Sequence, residues 1–273
     1  MSAVTKEKYC KKYYKKIDSY YIILVLISLE KRGGVCKVYQ GKQWEIISQF
    51  RRHSVMVQSD PDTWADLVQN LKLQSYRRGE TIRPGGDTSG RITILQSGVG
   101  LVSSVLASGK EVITQLNGPG TVWGIPSMLS PNPTARTTLT AMNDCQVWHI
   151  PRRTIREWME RDVANCQKLL QYECRKGGIF VQRIEMLTLP KIKCRVASLL
   201  LSLCYDIGYD SGNSVVIPLR ITHQQIADLV HSDRVTVARI ISGFIKKQLM
   251  EKRDGNYWVT GIEELYVVAL DMV

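Results

Sequence analysis

Between Asp233 and Lys247 the chain places two arginines and a valine on one side of a helical period. At about 100° per residue, Arg234, Val235, Ala238 and Arg239 share one arc, and Val237, Ile240, Ile241 and Phe244 the opposite one. The apolar arc is the side a helix packs inward, which turns the guanidinium groups and the valine outward. An arginine fork fits guanine O6 and N7 in a major groove, and an outward valine can meet a thymine methyl. An ordinary solvated helix face explains two arginines but not the bare valine between them.

The residues before this helix supply what it needs for positioning. Thr222 is a cap for a first helix, with Gln225 as its capping-box partner. Ile226, Leu229 and Val230 give that helix an apolar side, His231 and Ser232 break it, and Ser232 or Asp233 caps the second. Residues 221–249 therefore read as a helix-turn-helix. Thr222, His223 and Gln224, together with Ser232 and Thr236, stand where such a unit crosses a phosphate backbone. From Arg220 to Arg253, seven Lys/Arg face only Asp228, Asp233 and Glu251, so the local balance is positive.

The bulk charge is a weaker signal. The chain of 273 residues carries +12, but residues 1–55 account for +8 of it, with twelve Lys/Arg against Glu7, Asp18, Glu30 and Glu45. Residues 1–62 are read as a basic, tyrosine-rich extension containing Lys11, Lys12, Lys15 and Lys16. Two readings stay open for it: a basic arm, or an upstream stretch of a chain whose start is Met56. Its apolar run, Tyr20 to Leu29, is about half of what a membrane-crossing helix needs, so the expectation is a cytoplasmic protein with no membrane partner.

Three further zones follow. Residues 63–160 carry short β-rich runs such as Ile92–Leu95, Gly100–Leu106 and Cys145–Ile150, and ten of the twenty glycines lie between Gly79 and Gly124. Short strands with glycine turns, including a hairpin signal at Ser108-Gly109, predict an antiparallel β-roll of jelly-roll type. Residues 161–189 predict one long helix. Its Val163, Cys166, Leu170, Gly177, Phe180, Ile184 and Leu187 recur at spacings of three and four, broken once at Glu173. That is a seam for a second helix, with Leu170, Gly177, Phe180, Ile184 and Leu187 as its dimer residues. Gly177-Gly178 costs a helix interior roughly 1 kcal/mol per residue, which close approach of a partner would offset. Residues 190–273 combine an apolar helix, a strand at Val215–Leu219, the helix-turn-helix and a hairpin over Glu251–Val259, the layout of a winged helix. The fold class is α+β.

Thr222-His-Gln-Gln-Ile-Ala through Arg234-Val-Thr-Val-Ala-Arg-Ile resembles the DNA-binding unit of the CRP/FNR regulators, and within them the cyanobacterial nitrogen-regulator (NtcA) branch. The resemblance runs over residues 67–265. It implies a cyclic-nucleotide-binding-like roll, a dimerisation helix and a homodimer on a two-fold-related DNA site, with RNA polymerase as a further partner. It assigns base contacts to Arg234, Val235 and Arg239, and Val235 in place of glutamate implies GTA-type half-sites. His231 stands where many relatives have glycine, so it must tolerate a strained backbone.

For an effector, the resemblance points to Gly124, Ile125, Pro126, Ser127, Arg136 and Lys176, with Arg175 as the alternative to Lys176. Ile125 and Pro126 stand where a cyclic-nucleotide binder carries glutamate, which argues against cyclic AMP. Arg136 matches an anion-binding arginine, so a small anionic metabolite similar to 2-oxoglutarate is implied, although Val181 replaces the glutamate expected on the long helix and Pro126 lacks an amide N–H.

A signalling module with vestigial DNA contacts is the competing reading, disfavoured by the intact arginines. No nucleophile elbow, P-loop or zinc pattern is present, so no enzyme, cofactor or metal site is expected. The seven scattered cysteines form no C-x-x-C pair and read as reduced.

Overall fold

The structure, a computed structural model, describes residues 46–47 and 54–270. The lysine run and the apolar run of the extension lie outside the described residues. The chain enters the fold earlier than its composition suggests. Strand β1 (Met56–Val57) pairs in parallel with β6, Met56 opposite Leu116 and Val57 opposite Asn117. Ile47, Val55 and Met56 are buried in one core. The domain boundary at residues 62/63 is therefore corrected. A two-residue strand is too short to show a period, so polar neighbours hid it.

After β1, a 3-10 turn (Pro61–Trp64) leads into α1 (Ala65–Val68). The roll continues as β2 (Leu73–Tyr76), β3 (Thr81–Arg83), β4 (Ile92–Ser97), β5 (Gly100–Val105), β6 (Glu111–Asn117) and β7 (Val122–Trp123). Helix α2 (Ile125–Leu129), β8 (Thr138–Ala141) and β9 (Cys145–Ile150) complete it. One sheet has the order β1-β6-β5-β8-β3, the other β2-β9-β4-β7. All pairs but β1–β6 are antiparallel. The expected hairpin joins β5 to β6, closed by the Leu106 N–H on the Lys110 carbonyl and the Gly109 N–H on the Leu106 carbonyl, with Gly109 at a φ of 81°.

Helix α3 (Arg152–Arg161) follows the roll; the reading of residues 63–160 as strands alone missed it. Helix α4 (Val163–Thr188) starts on Asp162, whose carboxylate accepts from the Ala164 N–H, and runs unbroken through Gly177-Gly178. Trp64, Trp158 and Tyr172 fasten α4 to the roll. The Trp64 ring meets Tyr172 edge-on at 5.7 Å and Trp158 at 6.2 Å. The Tyr172 hydroxyl accepts from the Val122 N–H and donates to the Val122 carbonyl. Aromatic pairs of this kind contribute about 0.5–1.5 kcal/mol beyond area burial.

A partly buried polar chain links β2, β4 and β9 of the roll. The His149 ring lies 3.0 Å from the Thr93 hydroxyl at Nδ1 and 2.8 Å from the Tyr76 hydroxyl at Nε2. Burial first, then the charges of Arg91 and Arg83, hold its pKa down to about 4. The folded value lies below the ordinary 6.5, so this group's contribution to stability is present above pH 6.5 and is lost as pH falls towards 4. Titration of the His149 ring by NMR should give a midpoint near 4; a midpoint near 6.5 would place the ring in water.

The C-terminal part begins with α5 (Ile192–Ile207), whose Val196, Leu199, Leu200 and Leu203 are fully buried. Strands β10 (Tyr209–Asp210) and β11 (Val215–Ile217), helices α6 (His223–Val230) and α7 (Arg234–Lys246), β12 (Met250–Arg253), β13 (Asn256–Val259) and α8 (Ile262–Ala269) follow. The sheet order β10-β11-β13-β12 with α5, α6 and α7 is the expected winged helix, with β10 added.

Candidate nucleic-acid interface

The turn between α6 and α7 is over-determined locally. Thr222 and Gln225 form the reciprocal capping box at the start of α6. His231 ends α6 in the left-handed region, at φ 56° and ψ 60°, as expected for a residue in a glycine position. Of the two candidates for the second cap, Asp233 takes the role, its carboxylate accepting from the Thr236 N–H at 2.8 Å. Ser232 instead sends its N–H to the Ala227 carbonyl.

Packing then orients α7. Val237, Ile241 and Phe244 are buried and Ile240 is partly so. Arg234 and Arg239 are exposed, and Val235 is 67% exposed. The two-sided reading of this helix is thus what the fold contains. Among the backbone candidates, Thr222, Ser232 and Thr236 are engaged in or next to the caps, and Gln224 donates to Asp228 at 2.9 Å.

His223 draws the surface together. Its pKa is lowered by burial first, then by the nearby charges of Lys252 and Arg234. The start of α6, the start of α7 and strand β12 therefore share one positive field. Sequence reading missed Lys252 here; the hairpin that carries it was legible, but not where it folds back. Lys252 lies over the Tyr257 ring and Arg253 over the Trp258 ring at 4.8 Å, which stiffens the hairpin.

The residues assigned to an effector lie on α2, just before β8 and on α4. Gly124 heads α2 at φ 103°, with Ile125 and Ser127 buried and Pro126 exposed. Arg83, which sequence reading did not single out, occupies this corner. Its side chain is fully buried, bonded to Asp87 at 2.7 Å, to the Arg91 carbonyl and to the Ser127 hydroxyl at 3.2 Å. It also lies 4.8 Å over the Trp123 ring. A Cβ on Gly124 would collide with the Arg83 guanidinium, so glycine is required there. An arginine in a β-strand gives no sequence signal of being buried, since it is its distant partners that permit it.

Arg136 is exposed. Lys176 is buried on α4 and paired with Glu173 at 3.2 Å, one helical turn away. Among the described residues no hydrogen bond or ion pair joins either of them to residues 124–127, and the Lys176 ammonium is held by Glu173.

On α4 the outward apolar face holds Leu170 at 65% exposure and Ile184 at 62%, with Val163 and Val181 also exposed. Gly177 and Gly178 have open space around them, and Phe180 is exposed. Leu187, the last of the expected seam residues, is half-buried and packs against the core shared with α5.

Comparison with known proteins matches this layout in two pieces. A cyclic nucleotide-binding domain model matches residues 73–162, and a Crp-like helix-turn-helix domain model residues 194–267. The chain is 30% identical over 181 residues to the global nitrogen regulator of Synechococcus elongatus, covering 66% of this chain and 82% of that protein. It is 24% identical over 185 residues to the CRP-like cAMP-activated global transcriptional regulator of Mycobacterium tuberculosis, covering 68% of this chain and 82% of that protein. Among solved structures, a CRP-family transcriptional regulator of Thermus thermophilus matches at a TM-score of 0.63 and 19% identity, covering 72% of this chain and 96% of that one. FixK2 of Bradyrhizobium japonicum matches at 0.62 and 19%, with the same coverage.

Proposed function

The chain belongs to the CRP/FNR family of transcription regulators, and from that premise we propose that it works as a homodimer reading a two-fold-related DNA site through Arg234, Val235 and Arg239. The carrying observation is the exposed Arg234-Val235-Arg239 face on a helix whose other side buries Val237, Ile241 and Phe244. Thr222, His223, Gln224, Ser232 and Thr236 contact phosphates, and Lys252 adds a charge from the hairpin. Valine at 235 in place of glutamate favours the GTA-type half-sites that the resemblance to the nitrogen regulators implies, and its methyl groups can meet a thymine methyl.

The outward stripe of α4 supports the dimer, with Leu170, Gly177, Phe180 and Ile184 at the seam. Two-fold pairing through α4 sets the half-sites about one helical turn apart. RNA polymerase is the downstream partner of such a regulator.

A small anionic metabolite, similar to 2-oxoglutarate, is the proposed effector, with exposed Arg136 as its first contact. Ile125 and Pro126 offer no carboxylate for a ribose hydroxyl, which disfavours cyclic AMP. No helix among the described residues is long and apolar enough to cross a membrane.

Spacing tests the dimeric reading. Inserting half a helical turn between the half-sites of a bound duplex should weaken binding, while a full turn should restore part of it. Indifference to spacing would mean that the two heads are not rigidly paired.

A further inference from the structure

Helix α5 is the rod on which the DNA-reading head is built, and it is held at both ends. At its start, Leu189, Pro190 and Lys191 join it to α4, and Arg195 Nε donates to the Leu189 carbonyl at 2.7 Å. Asp206, in its last turn, lies fourteen residues beyond Ile192, about 21 Å along the axis at 1.5 Å per residue. There its carboxylate accepts from the Ser54 hydroxyl at 2.7 Å and from the Val55 and Met56 N–H groups at 3.1 Å each. The Gln58 side-chain amide donates to the Asp206 carbonyl at 3.3 Å.

The same residues 54–58 belong to the roll. Met56 and Val57 are the edge strand on β6, and the Val57 carbonyl accepts from the Gly118 N–H. Val55 and Met56 are buried in one core with Leu101, Leu116 and the apolar face of α5. A hinge at Leu189–Lys191 cannot swing the head while the far end of α5 is tied to the roll. Burial pushes the Asp206 carboxyl up to about 7 despite three donors. A buried carboxyl, charged or neutral, is costly unless its hydrogen bonds are made, and all three donors come from the segment that enters the roll.

We propose that Asp206 and residues 54–58 form a clasp that locks the DNA-reading head onto the roll, and that the clasped head is the state that reads DNA. This rests on the DNA-reading role assigned to α7. It adds a control point: the chain entering the roll at Ser54 is mechanically coupled to the position of α7, through α5 and 150 residues of sequence separation. An event on the segment before Ser54, or at the β1–β6 edge, then changes DNA affinity without touching the reading face.

The test uses the full chain. In the absence of DNA, hydrogen exchange of Asp206→Ala should rise at residues 54–58, at 204–208 and at the linker 189–191, and stay unchanged where α4 meets Trp64. Ser54→Ala, a milder change that keeps the fold, should give the same pattern at smaller amplitude. On a duplex selected by the wild type, Asp206→Ala should raise the dissociation constant roughly tenfold, in proportion to the loss of the clasped fraction. Unchanged exchange at residues 54–58 in both variants would refute the clasp. Raised exchange with unchanged or tighter DNA binding would refute its role in reading. A wild type that selects no duplex would overturn the assigned role of α7 instead, and leave the exchange result to decide the clasp.

Discussion

Arg234→Ala and Arg239→Ala are each expected to cost about 1–3 kcal/mol of specific binding, some five- to two-hundredfold in dissociation constant, with the dimer intact. The side chains are exposed and stand about 1.4 turns apart on a helix fixed by Val237, Ile241 and Phe244. Neither removal opens a cavity or exposes core, so folding is spared and the loss falls on recognition. Each variant should relax preference at one position of the half-site and leave the others in place. Thr236→Ala or Lys252→Ala should act differently, weakening all duplexes alike, and Lys252→Ala should lower the salt dependence, as removal of a phosphate contact does. Binding assays at two salt concentrations separate the two classes.

The second large effect concerns the stripe on α4. Leu170→Glu with Ile184→Glu replaces two apolar side chains per protomer, both largely exposed within one chain. Covering a leucine or isoleucine contributes about 1.5–3 kcal/mol, so the paired loss should raise the dimer dissociation constant by at least about a thousandfold. Carboxylates facing one another at the seam add repulsion. Sedimentation should then show monomers that keep the fold, since neither residue belongs to the internal core. Specific DNA affinity should fall with dimer content, because one head holds one half-site. A double variant that remains dimeric would move the interface elsewhere.

The head was legible from sequence because its determinants are local. The Thr222–Gln225 box, the left-handed His231 and the opposed arcs of α7 lie within 25 residues, and each is set by backbone capping or helical period. The strands of the roll were legible for the same reason, with glycine turns spacing them. What escaped depends on distant partners. Ser54 meets Asp206 across 152 residues, and nothing near either residue signals the pairing. Arg83 is buried because Asp87, Ser127 and Trp123 surround it. On α4, apolar residues occur on two faces. Leu169 and Tyr172 dock on the roll while Leu170 and Ile184 face out, and only the roll decides which face is left free. Helix α3 went unread because only Ile155 and Trp158 are buried among its charged residues.

The anion reading is the least supported by geometry, since Arg136 is exposed and Lys176 is paired with Glu173. Arg83 is the buried cation beside residues 124–127, and it shares the Asp87 carboxylate with Arg91.

The central claim is that the exposed Arg234-Val235-Arg239 face reads DNA as a two-fold pair. The most direct measurement is selection of binding sites from random duplexes by the purified full-length chain, with and without 2-oxoglutarate. The expected product is a palindrome of GTA-type half-sites with centres about one helical turn apart, and enrichment lost in the Arg234→Ala, Arg239→Ala double variant. Selection of an asymmetric sequence, or equal enrichment by the double variant, would contradict it.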